Sequence, residues 1–352
     1  MKILITGVCG FTGSKIAMEL KNRLHCEIFG IDNLSRRGSE TNISVLKEHG
    51  ITFYHGDIRK QSDIYQLPKS DWVIDCAANP TVLAGINQTS SLNVAENNLW
   101  GTINILEYCK RNSSGLILIS TSRVYSITEL LNIKLKESSK RFYPDFRYKI
   151  AGFSKLGVSE KFSTSPPISF YGATKLSSEI MCLEYANAFG FPLWINRSSI
   201  LAGPGQFGRV DQGIMSFWVY SAVLKRQLKY IEYKGKQVRD FLSLADLSKL
   251  IFRQIKNPNK KAPKVVNIGG GISNSMSLIE MTDICEDFLG RKINAKKSAE
   301  KRKFDIPYYV SDITLTEKYW NWKPTIKAEK ILIDTLKWAS VNKEQILKSY
   351  GL

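Results

Sequence analysis

The chain opens with MKILITGVCGFTG, residues 1–13, in which a short apolar run leads directly into three glycines. Gly7, Gly10 and Gly13 have the spacing G-x-x-G-x-x-G, a variant of the fingerprint that joins the first strand to the first helix in dinucleotide-binding folds. The glycines allow a tight turn, the approach of backbone amides to a pyrophosphate, and close packing of helix on strand. The helix N-terminus adds partial positive charge that favours phosphate. Taken alone, the loop is also compatible with a plain turn.

Acidic positions downstream strengthen the dinucleotide interpretation. Asp32 ends the second predicted strand, where a carboxylate accepts hydrogen bonds from the adenosine ribose hydroxyls. Such a carboxylate repels a 2′-phosphate, so NAD is favoured over NADP, although Arg36 and Arg37 follow closely and keep NADP as the alternative. His55-Gly56-Asp57-Ile58 ends the third predicted strand, where a short acidic loop can frame the adenine. The sequence therefore predicts an NAD site.

Short β-branched runs alternate with helical patterns through the first half of the chain, which indicates an α/β fold with a Rossmann-type doubly wound parallel sheet. The predicted strands are Lys2–Thr6, Glu27–Ile31, Thr52–His55, Trp72–Cys76, Leu116–Ser120 and Leu193–Arg197, and the predicted helices are Ser14–Leu24, Asn93–Arg111 and Lys175–Phe189. After about residue 200 the pattern becomes mixed, with strands predicted at Lys229–Tyr233 and Val265–Ile268. We therefore expect an NAD-binding domain over 1–200 and a smaller C-terminal substrate-binding lobe over 201–352, with some chain returning to the first domain.

The segment 126–167 is long and polar for a connection between two sheet elements. Connections of that length carry a function or fold on themselves. Its basic and aromatic side chains are those of a substrate lid inserted into the first domain, and a peripheral decoration explains them equally well. They include Arg141, Tyr143, Arg147, Tyr148 and Lys149.

Composition excludes several classes of protein. No stretch approaches the ~18 apolar residues of a membrane-spanning helix, and the N-terminal apolar run is too short for a signal peptide, so we expect a cytoplasmic protein. The three histidines, His25, His49 and His55, all lie in the first sixth of the chain, so neither a zinc site nor a histidine-based triad is predicted. Six scattered cysteines without a CxxC pair fit a reducing compartment.

The formal net charge of +18 has two interpretations. A basic protein attracts nucleic acid, polyphosphate or anionic surfaces, whereas lysine-rich faces are also simply well solvated. Much of the excess falls in loop-like stretches around residues 256–264 and 296–303, with little aromatic interleaving. Basic stretches of this kind are poorly suited to recognising nucleic acid, so no nucleic-acid partner is predicted.

Candidate chemistry lies in Tyr171-Gly172-Ala173-Thr174-Lys175, which places Tyr171 and Lys175 four residues apart on one helix face. A lysine ammonium beside a phenol stabilises the phenolate and lowers the phenol pKa, so Tyr171 is predicted to accept a proton from a substrate hydroxyl. Thr121 follows the predicted strand Leu116–Ser120, at the edge where open α/β sheets bind ligands. Its hydroxyl can hold the substrate oxygen against Tyr171.

These motifs together resemble the extended short-chain dehydrogenase/reductase family, in the branch that acts on nucleotide-diphosphate sugars. The resemblance covers nearly the whole chain and is carried by Thr6–Gly13, Asp32-Asn33, Gly56-Asp57, Ala77-Ala78, Asn98, Gly101-Thr102, Thr121, Val124-Tyr125, Tyr171–Lys175, Arg239–Phe241 and Trp322–Pro324. Within that branch the chain is similar to the CDP-tyvelose (CDP-paratose) 2-epimerase group. The residues behind this finer likeness are Asp32–Arg36, His55–Arg59, Arg197–Ser199, Asp211–Gly213 and Gly235–Asp240.

The resemblance implies a role for each matching residue. NAD would be held by Gly7, Gly10, Phe11, Thr12, Gly13, Asp32, Asn33, Asp57, Ile58, Ala77, Ala78, Asn98, Tyr171 and Lys175. Thr121, Tyr171 and Lys175 would form the catalytic set, and Thr121, Ser199, Gln206, Gln212 and Arg239 would bind the sugar nucleotide. Arg239 would contact the diphosphate, in keeping with the bidentate recognition of phosphate by arginine.

The implied reaction is epimerisation of a nucleotide sugar, at C2 of a CDP-sugar in polysaccharide biosynthesis, by transient oxidation to a keto sugar and hydride return. UDP-sugar 4-epimerisation, net sugar-nucleotide oxidation and, more remotely, a dinucleotide-sensing regulatory protein are the alternatives. Dehydratases of this branch carry an acidic pair after the catalytic threonine, where this chain has Ser122 and Arg123. A diphosphate-binding arginine of the 2-epimerase group falls near Pro307, so either Arg302 or a lid residue replaces it, or the nucleotide is bound differently. The resemblance also implies a homodimer or homotetramer packed through the two helices Asn93–Arg111 and Lys175–Phe189.

Overall fold

The protein alternates strands and helices from its first residues, in a computed structural model that describes residues 1–86, 90–209 and 212–351. In that part of the chain the strands are β1 (Lys2–Thr6), β2 (Glu27–Asp32), β3 (Thr52–His55), β4 (Trp72–Asp75), β5 (Gly115–Thr121), β6 (Leu135–Glu137), β7 (Phe142–Pro144), β8 (Phe153–Ser154), β9 (Gly157–Val158), β10 (Leu193–Ser198), β11 (Ile200–Ala202), β12 (Lys229–Ile231), β13 (Val238–Ser243), β14 (Val265–Ile268), β15 (Ser275–Ser277), β16 (Lys296–Ser298) and β17 (Tyr308–Tyr309). The α-helices are α1 (Phe11–Arg23), α2 (Asn42–Glu48), α3 (Gln61–Tyr65), α4 (Ser91–Ala95), α5 (Gly101–Asn112), α6 (Ile127–Asn132), α7 (Ser169–Phe189), α8 (Ile214–Val223), α9 (Leu244–Lys256), α10 (Leu278–Leu289), α11 (Thr314–Trp320), α12 (Ala328–Val341) and α13 (Lys343–Tyr350).

Seven parallel strands form the central sheet, in the order β14-β10-β5-β4-β1-β2-β3. After β1 the chain adds β2 and β3 on one side, and β4 then pairs with the other side of β1. The connections that leave the neighbouring strands β1 and β4 therefore diverge, and a crevice opens beyond their carboxyl ends. This is the predicted Rossmann-type doubly wound fold, and the prediction of fold class is confirmed.

Apolar side chains cover both faces of the sheet. On one face, α1 and α9 pack against β1 and β10, with Ile16, Leu20, Leu247 and Leu250 buried between them. On the other face, α5 and α7 pack through a separate cluster that includes Leu106. Strands covered on both faces have few polar side chains, which explains why β-branched runs identified them in the sequence.

A smaller lobe follows β10. Strand β13 pairs with β11, β15 and β17, and its Phe241 packs among buried side chains of α8, α10 and α12. A two-stranded pair, β12 with β16, extends this lobe. No helix in the described ranges is both long and apolar enough to span a membrane. The division into domains at residue 200 stays a prediction.

Several predicted boundaries need correction. Helix α1 begins at Phe11 rather than Ser14, because Gly10 already occupies the N-cap position. The single helix predicted over Asn93–Arg111 consists of α4, a π-helical turn at Glu96–Trp100, and α5. Strand β12 stops at Ile231, since Glu232 has a left-handed φ of 53°. Strand β14 joins the edge of the central sheet beside β10, whereas the sequence suggested a strand of the smaller lobe.

The segment 126–167 folds on itself and packs against distant chain. It contains α6 and two hairpins, β6 with β7 and β8 with β9. The Val158 amide donates to the Val310 carbonyl at 2.8 Å, and Glu160 accepts from the Asn267 amide at 2.6 Å. Its apolar side chains share a cluster with Ile306 and Tyr309. The segment therefore braces the smaller lobe against the central sheet.

Candidate active site

A cavity of about 420 Å³ lies at the carboxyl edge of the central sheet, between the sheet and the smaller lobe. Most of the predicted site residues line it: Gly7, Gly10, Phe11, Thr12, Gly13, Asp32, Asn33, Ile58, Ala77, Ala78, Thr121, Tyr171, Ser199, Gln206, Gln212 and Arg239. Asp57, Asn98 and Lys175 are outside this lining. Among described residues, none of the segment 126–167 lines the cavity, so the observed contacts favour the decoration interpretation over the lid. Asp211, used for the finer resemblance, lies outside the described residues.

The glycine loop at one end of the cavity forms a tight cradle. Gly7 has a φ of 62°, and its carbonyl accepts from the Gly10 amide at 3.0 Å. A Cβ on Gly13 would lie 2.2 Å from the Gly7 carbonyl oxygen, so only glycine fits there. No side chain caps the N-terminus of α1 at Gly10, which leaves its amides directed at the cavity. Backbone this close, with open amides, fits a dinucleotide pyrophosphate.

Asp32 and Asp57 are held by hydrogen bonds at the adenosine end. Asp32 Oδ2 accepts from the Cys9 amide at 3.0 Å and Oδ1 accepts from the Leu34 amide at 2.8 Å. Burial raises the pKa of Asp32, and these backbone donors oppose the rise. Burial also disfavours ionised Asp57, but hydrogen bonds from Arg59 and from Asn33 outweigh it and lower the pKa of Asp57 to about 2. Asp57 thus positions Asn33, through a 3.1 Å bond from Asn33 Nδ2.

Thr121 and Tyr171 meet where β5 ends and α7 begins. Thr121 Oγ1 accepts from the Arg123 amide at 3.1 Å, and the Thr121 hydroxyl lies near enough to the Tyr171 phenol to oppose the rise in the pKa of that phenol. A Cβ on Gly172 would lie 2.3 Å from the Arg123 carbonyl oxygen. Glycine therefore lets the first turn of α7 press against the end of β5.

The pKa of Tyr171 is raised rather than lowered. Burial is the largest cause, and the hydrogen bond from Thr121 and the positive charge of Arg123 oppose it. Lys175 is not among the groups that act on the phenol, so the predicted lowering of the Tyr171 pKa by Lys175 is wrong for this chain on its own. Lys175 is 1% exposed, and its charge acts instead on the thiols of Cys76 and Cys182.

Asn98, predicted to contact the cofactor, lies outside the cavity lining. It is fully buried, its Oδ1 accepts from the Asn79 amide at 2.7 Å, and its Nδ2 donates to the Asn79 carbonyl and to Thr174 Oγ1. The side chain therefore ties the loop after β4 to α7, and the structure does not bring it to the cavity. Through Thr174 it supports the helix turn that carries Tyr171.

The predicted substrate residues line the opposite wall, and each has contacts within the protein. Ser199 Oγ donates to the carbonyl oxygen and side chain of Asp240. Gln206 donates to the Leu201 carbonyl at 3.1 Å. Arg239 Nη2 donates to Asp305 Oδ1 at 2.9 Å and to the Ile306 carbonyl at 2.6 Å. Burial lowers the pKa of Arg239, and Asp305 opposes that shift.

Sequence reasoning named Arg302 as one candidate to replace the missing diphosphate arginine, but it assigned no role to Lys303 or Gln237 of this wall. Arg302, Lys303 and Gln237 line the cavity, and Gln237 Oε1 is buried without a hydrogen-bond partner among the described residues. Arg123 also lines it, with Nη1 donating to the Phe304 carbonyl at 3.2 Å. Burial, then the neighbouring Arg239, lowers the pKa of Arg123 to about 10, so the guanidinium stays charged at neutral pH. The position of Arg123, two residues after Thr121, could have identified it as a cavity residue from the sequence.

Residues 3–269 match the model of the NAD dependent epimerase/dehydratase family. The chain belongs to this family. The predictions of an enzyme, of an NAD cofactor and of kinship with the nucleotide-sugar branch are thereby confirmed.

Individual relatives differ in sugar and in carbon. CDP-paratose 2-epimerase of Salmonella typhi is 31% identical over 97% of this chain and 99% of its own length. UDP-glucuronate 4-epimerase of Thermodesulfobacterium geofontis is 27% identical over 97% of both chains. The solved structure of UDP-glucuronic acid 4-epimerase from Bacillus cereus, in complex with UDP-glucuronic acid and NAD, is 25% identical with a TM-score of 0.77, over 97% of this chain and 99% of that one. The relatives share nucleotide-sugar epimerisation.

Within an epimerase/dehydratase family, the acidic groups of the cavity bear on the choice of reaction. In the described lining the carboxylates are Asp32, at the adenosine end, and Asp305, which is paired with Arg239. Ser122 and Arg123 stand directly after Thr121. Water elimination needs an acid and a base beside the sugar. The lining therefore favours epimerisation over dehydration.

Proposed function

We propose that this enzyme inverts C2 of a CDP-linked deoxysugar of the paratose/tyvelose type, with NAD retained through the reaction. The observation that carries the proposal is the meeting of Thr121 and Tyr171 in the same cavity as the glycine cradle. Likeness to CDP-paratose 2-epimerase over nearly the full length of both chains supports the choice of sugar and carbon.

The two hydroxyl-bearing side chains divide the proton chemistry. Once ionised, Tyr171 takes the proton of the C2 hydroxyl, while Thr121 holds the same oxygen and donates to the phenolate. NAD, when bound, supplies hydride acceptance at C2 and hydride return to the opposite face. Tyr171 then gives its proton back to the oxygen, so the reaction involves no net oxidation. Burial of Tyr171 keeps water from the phenolate and from the carbonyl carbon.

The rest of the cavity holds the two ligands. Amides of the Gly7–Gly13 loop would bind the NAD pyrophosphate, and Asp32 would accept from the adenosine ribose. Arg239 and Arg302, on the opposite wall, would bind the sugar-nucleotide diphosphate, with Arg302 replacing the arginine that this chain lacks at Pro307. The unpartnered Gln237 Oε1 would accept from a donor on the nucleotide.

A UDP-sugar 4-epimerase is the second candidate. It is supported by the 27% identical UDP-glucuronate 4-epimerase and by the Bacillus cereus structure, both matched over nearly their full length. The same Thr121, Tyr171 and Lys175 set would serve C4. Net oxidation of the sugar nucleotide is the third candidate, and it requires the reduced cofactor to leave after each turnover.

We also propose a cytoplasmic homodimer, with a homotetramer as the larger alternative, that acts in surface polysaccharide synthesis. Large apolar side chains remain exposed beside α5 and along α7: Trp100, Phe170, Ile180 and Phe189. Pairing of these two helices between copies would cover them. Light scattering on the purified protein tests the oligomeric state.

The test is a proton NMR time course of CDP-paratose with purified protein and no added cofactor. A new anomeric signal that grows to an equilibrium ratio, and that is absent with Tyr171→Phe, supports the 2-epimerase. No change with CDP-paratose, together with conversion of UDP-glucuronate or another UDP-sugar, replaces it with the 4-epimerase. Accumulation of a keto sugar only when NAD is added supports net oxidation.

A further inference from the structure

Two loops face each other across the adenosine end of the cavity. The first, residues 33–39, follows β2 and includes Asn33, Arg36 and Gly38. The second, which we call the roof loop, comprises the described residues 206–209 together with 212–213, and Gln206, Phe207 and Gln212 of it line the same cavity. A bridge between the two loops therefore spans this end of the cavity.

Arg36 makes that bridge. Its Nη2 donates to the Phe207 carbonyl at 2.9 Å and to Gln212 Oε1 at 2.7 Å. Both acceptors belong to the roof loop, more than 170 residues away along the chain. Because the donor is a charged guanidinium, these hydrogen bonds are stronger than those between neutral groups. They also use the Oε1 acceptor of Gln212, which the sequence had suggested for the sugar nucleotide.

Apolar packing reinforces the bridge. The ring of Phe207 lies close against Gly38, since a Cβ built there would be 2.5 Å from a ring carbon. Gly38 also has a φ of 94°, a conformation that favours glycine. A larger residue at position 38 would therefore collide with the Phe207 ring.

The far side of the roof loop is anchored in the smaller lobe. Tyr350 Oη donates to the Gly208 carbonyl at 3.0 Å, and Ser216 Oγ donates to Gln206 Oε1 at 2.8 Å. The roof loop is thus fixed to α8 and α13 on one side. On the other side it is tied to the Rossmann sheet through Arg36, so the two lobes are joined above the cofactor cradle.

We propose that Arg36 is a positioning residue that retains the dinucleotide by bonding the roof loop across the adenosine end of the cavity. The inference takes from the proposed function only that NAD is resident. A dinucleotide beneath the bridge leaves after both hydrogen bonds to Arg36 have broken, so its release is slowed. An epimerase benefits from this because the hydride goes back to the same substrate molecule. An arginine placed soon after Asp32 is also a candidate ligand for the 2′-phosphate of NADP. In this structure the Arg36 guanidinium donates to the roof loop instead.

The test compares Arg36→Met with Arg37→Met, a matched control at the exposed neighbouring position. Each purified protein is loaded with NAD, passed through gel filtration, and assayed for retained NAD by chromatography after heat release. In a second experiment the protein is loaded with labelled NAD, and the dissociation rate of the label is followed after dilution into excess unlabelled NAD. We expect Arg36→Met to release NAD about tenfold faster or more, with Arg37→Met close to the parent, because hydrogen bonds from a charged donor are lost.

A double-mutant cycle separates the bridge from a general loss of structure. Gln212→Leu should speed NAD release, and Arg36→Met combined with Gln212→Leu should add less than the sum of the two, since both changes break one contact. Circular dichroism establishes that each variant is folded. Equal NAD release from Arg36→Met and Arg37→Met, or fully additive effects of Arg36 and Gln212, would overturn the proposal. Selective loss of NADP affinity in Arg36→Met would assign Arg36 to a 2′-phosphate instead. None of these readouts requires turnover of a particular sugar.

Discussion

Replacing Thr121 with valine removes one hydroxyl and little volume, and it should move the pH profile of the enzyme. Burial raises the pKa of Tyr171, and the Thr121 hydroxyl is the first of the two groups that hold it down. A hydrogen bond to a charged group contributes about 1.5–3 kcal/mol, and about 1.4 kcal/mol corresponds to one pKa unit. Loss of the hydroxyl should therefore raise the pKa of Tyr171 further above its ordinary value.

The sign of the effect follows from the role of the phenol. Tyr171 must be ionised to accept the substrate proton, so the rate rises as the pH rises through its pKa. A higher pKa moves this rising limb to higher pH. At a fixed pH on the limb, the rate of Thr121→Val should fall about 10- to 100-fold, and the deficit should narrow as the pH approaches the new pKa.

The assay is kcat and kcat/KM for Thr121→Val, Thr121→Ser and the parent, from about pH 6 upward until each profile levels off. Serine keeps the hydroxyl that bonds Tyr171 and the oxygen that accepts from the Arg123 amide, so its limb should stay near that of the parent. A Thr121→Val profile that levels off at the same pH as the parent's, but at a lower rate, would refute the reasoning. It would mean that Thr121 holds the substrate without acting on the phenolate.

Three further predictions concern stability and the cradle. Glu179→Gln leaves the buried guanidinium of Arg197 without its carboxylate partner, so the free energy of unfolding should fall by about 3–5 kcal/mol; an unchanged urea midpoint would contradict this. Gly13→Ala places a methyl group 2.2 Å from the Gly7 carbonyl oxygen, so NAD binding measured by calorimetry should be lost, and parent-like affinity would disprove the cradle. Asp57 has a pKa lowered to about 2, so its ionised form contributes stability above the unfolded pKa of about 4 that is lost as the pH falls toward 2; Asp57→Asn should remove that pH dependence from unfolding curves.

The central sheet was predictable because its strands are buried on both faces. Runs such as residues 2–6 and 115–121 contain almost nothing polar except at their ends, and that pattern survives without knowledge of tertiary contacts. The cradle was equally readable, since Gly13 is required by a steric contact only six residues away. Constraints of this kind act between residues that are close in the chain, so the sequence alone reveals them.

The features that failed depend on contacts between distant residues. Strand β14 has four residues, three of them apolar, and nothing within it predicts that its neighbour is Ile195 of β10 rather than a strand of the smaller lobe. Asn98 has the position expected of a cofactor ligand, yet Asn79 and Thr174 use its amide. The bond from Arg36 to Gln212 joins residues 176 apart in the chain. The spacing of residues along the chain does not predict such pairings.

The activation of Tyr171 illustrates the same distinction at the level of one proton. The i, i+4 spacing correctly places Tyr171 and Lys175 in one helix, but it does not predict which groups surround the phenol oxygen. That oxygen reaches the end of β5, where Thr121 and Arg123 act on it, whereas Lys175 lies in the interior near Cys76. A phenol that burial makes hard to ionise therefore depends on groups in the cavity wall. Arg123, two residues after Thr121, is one of those groups, because its positive charge opposes the rise in the pKa of Tyr171.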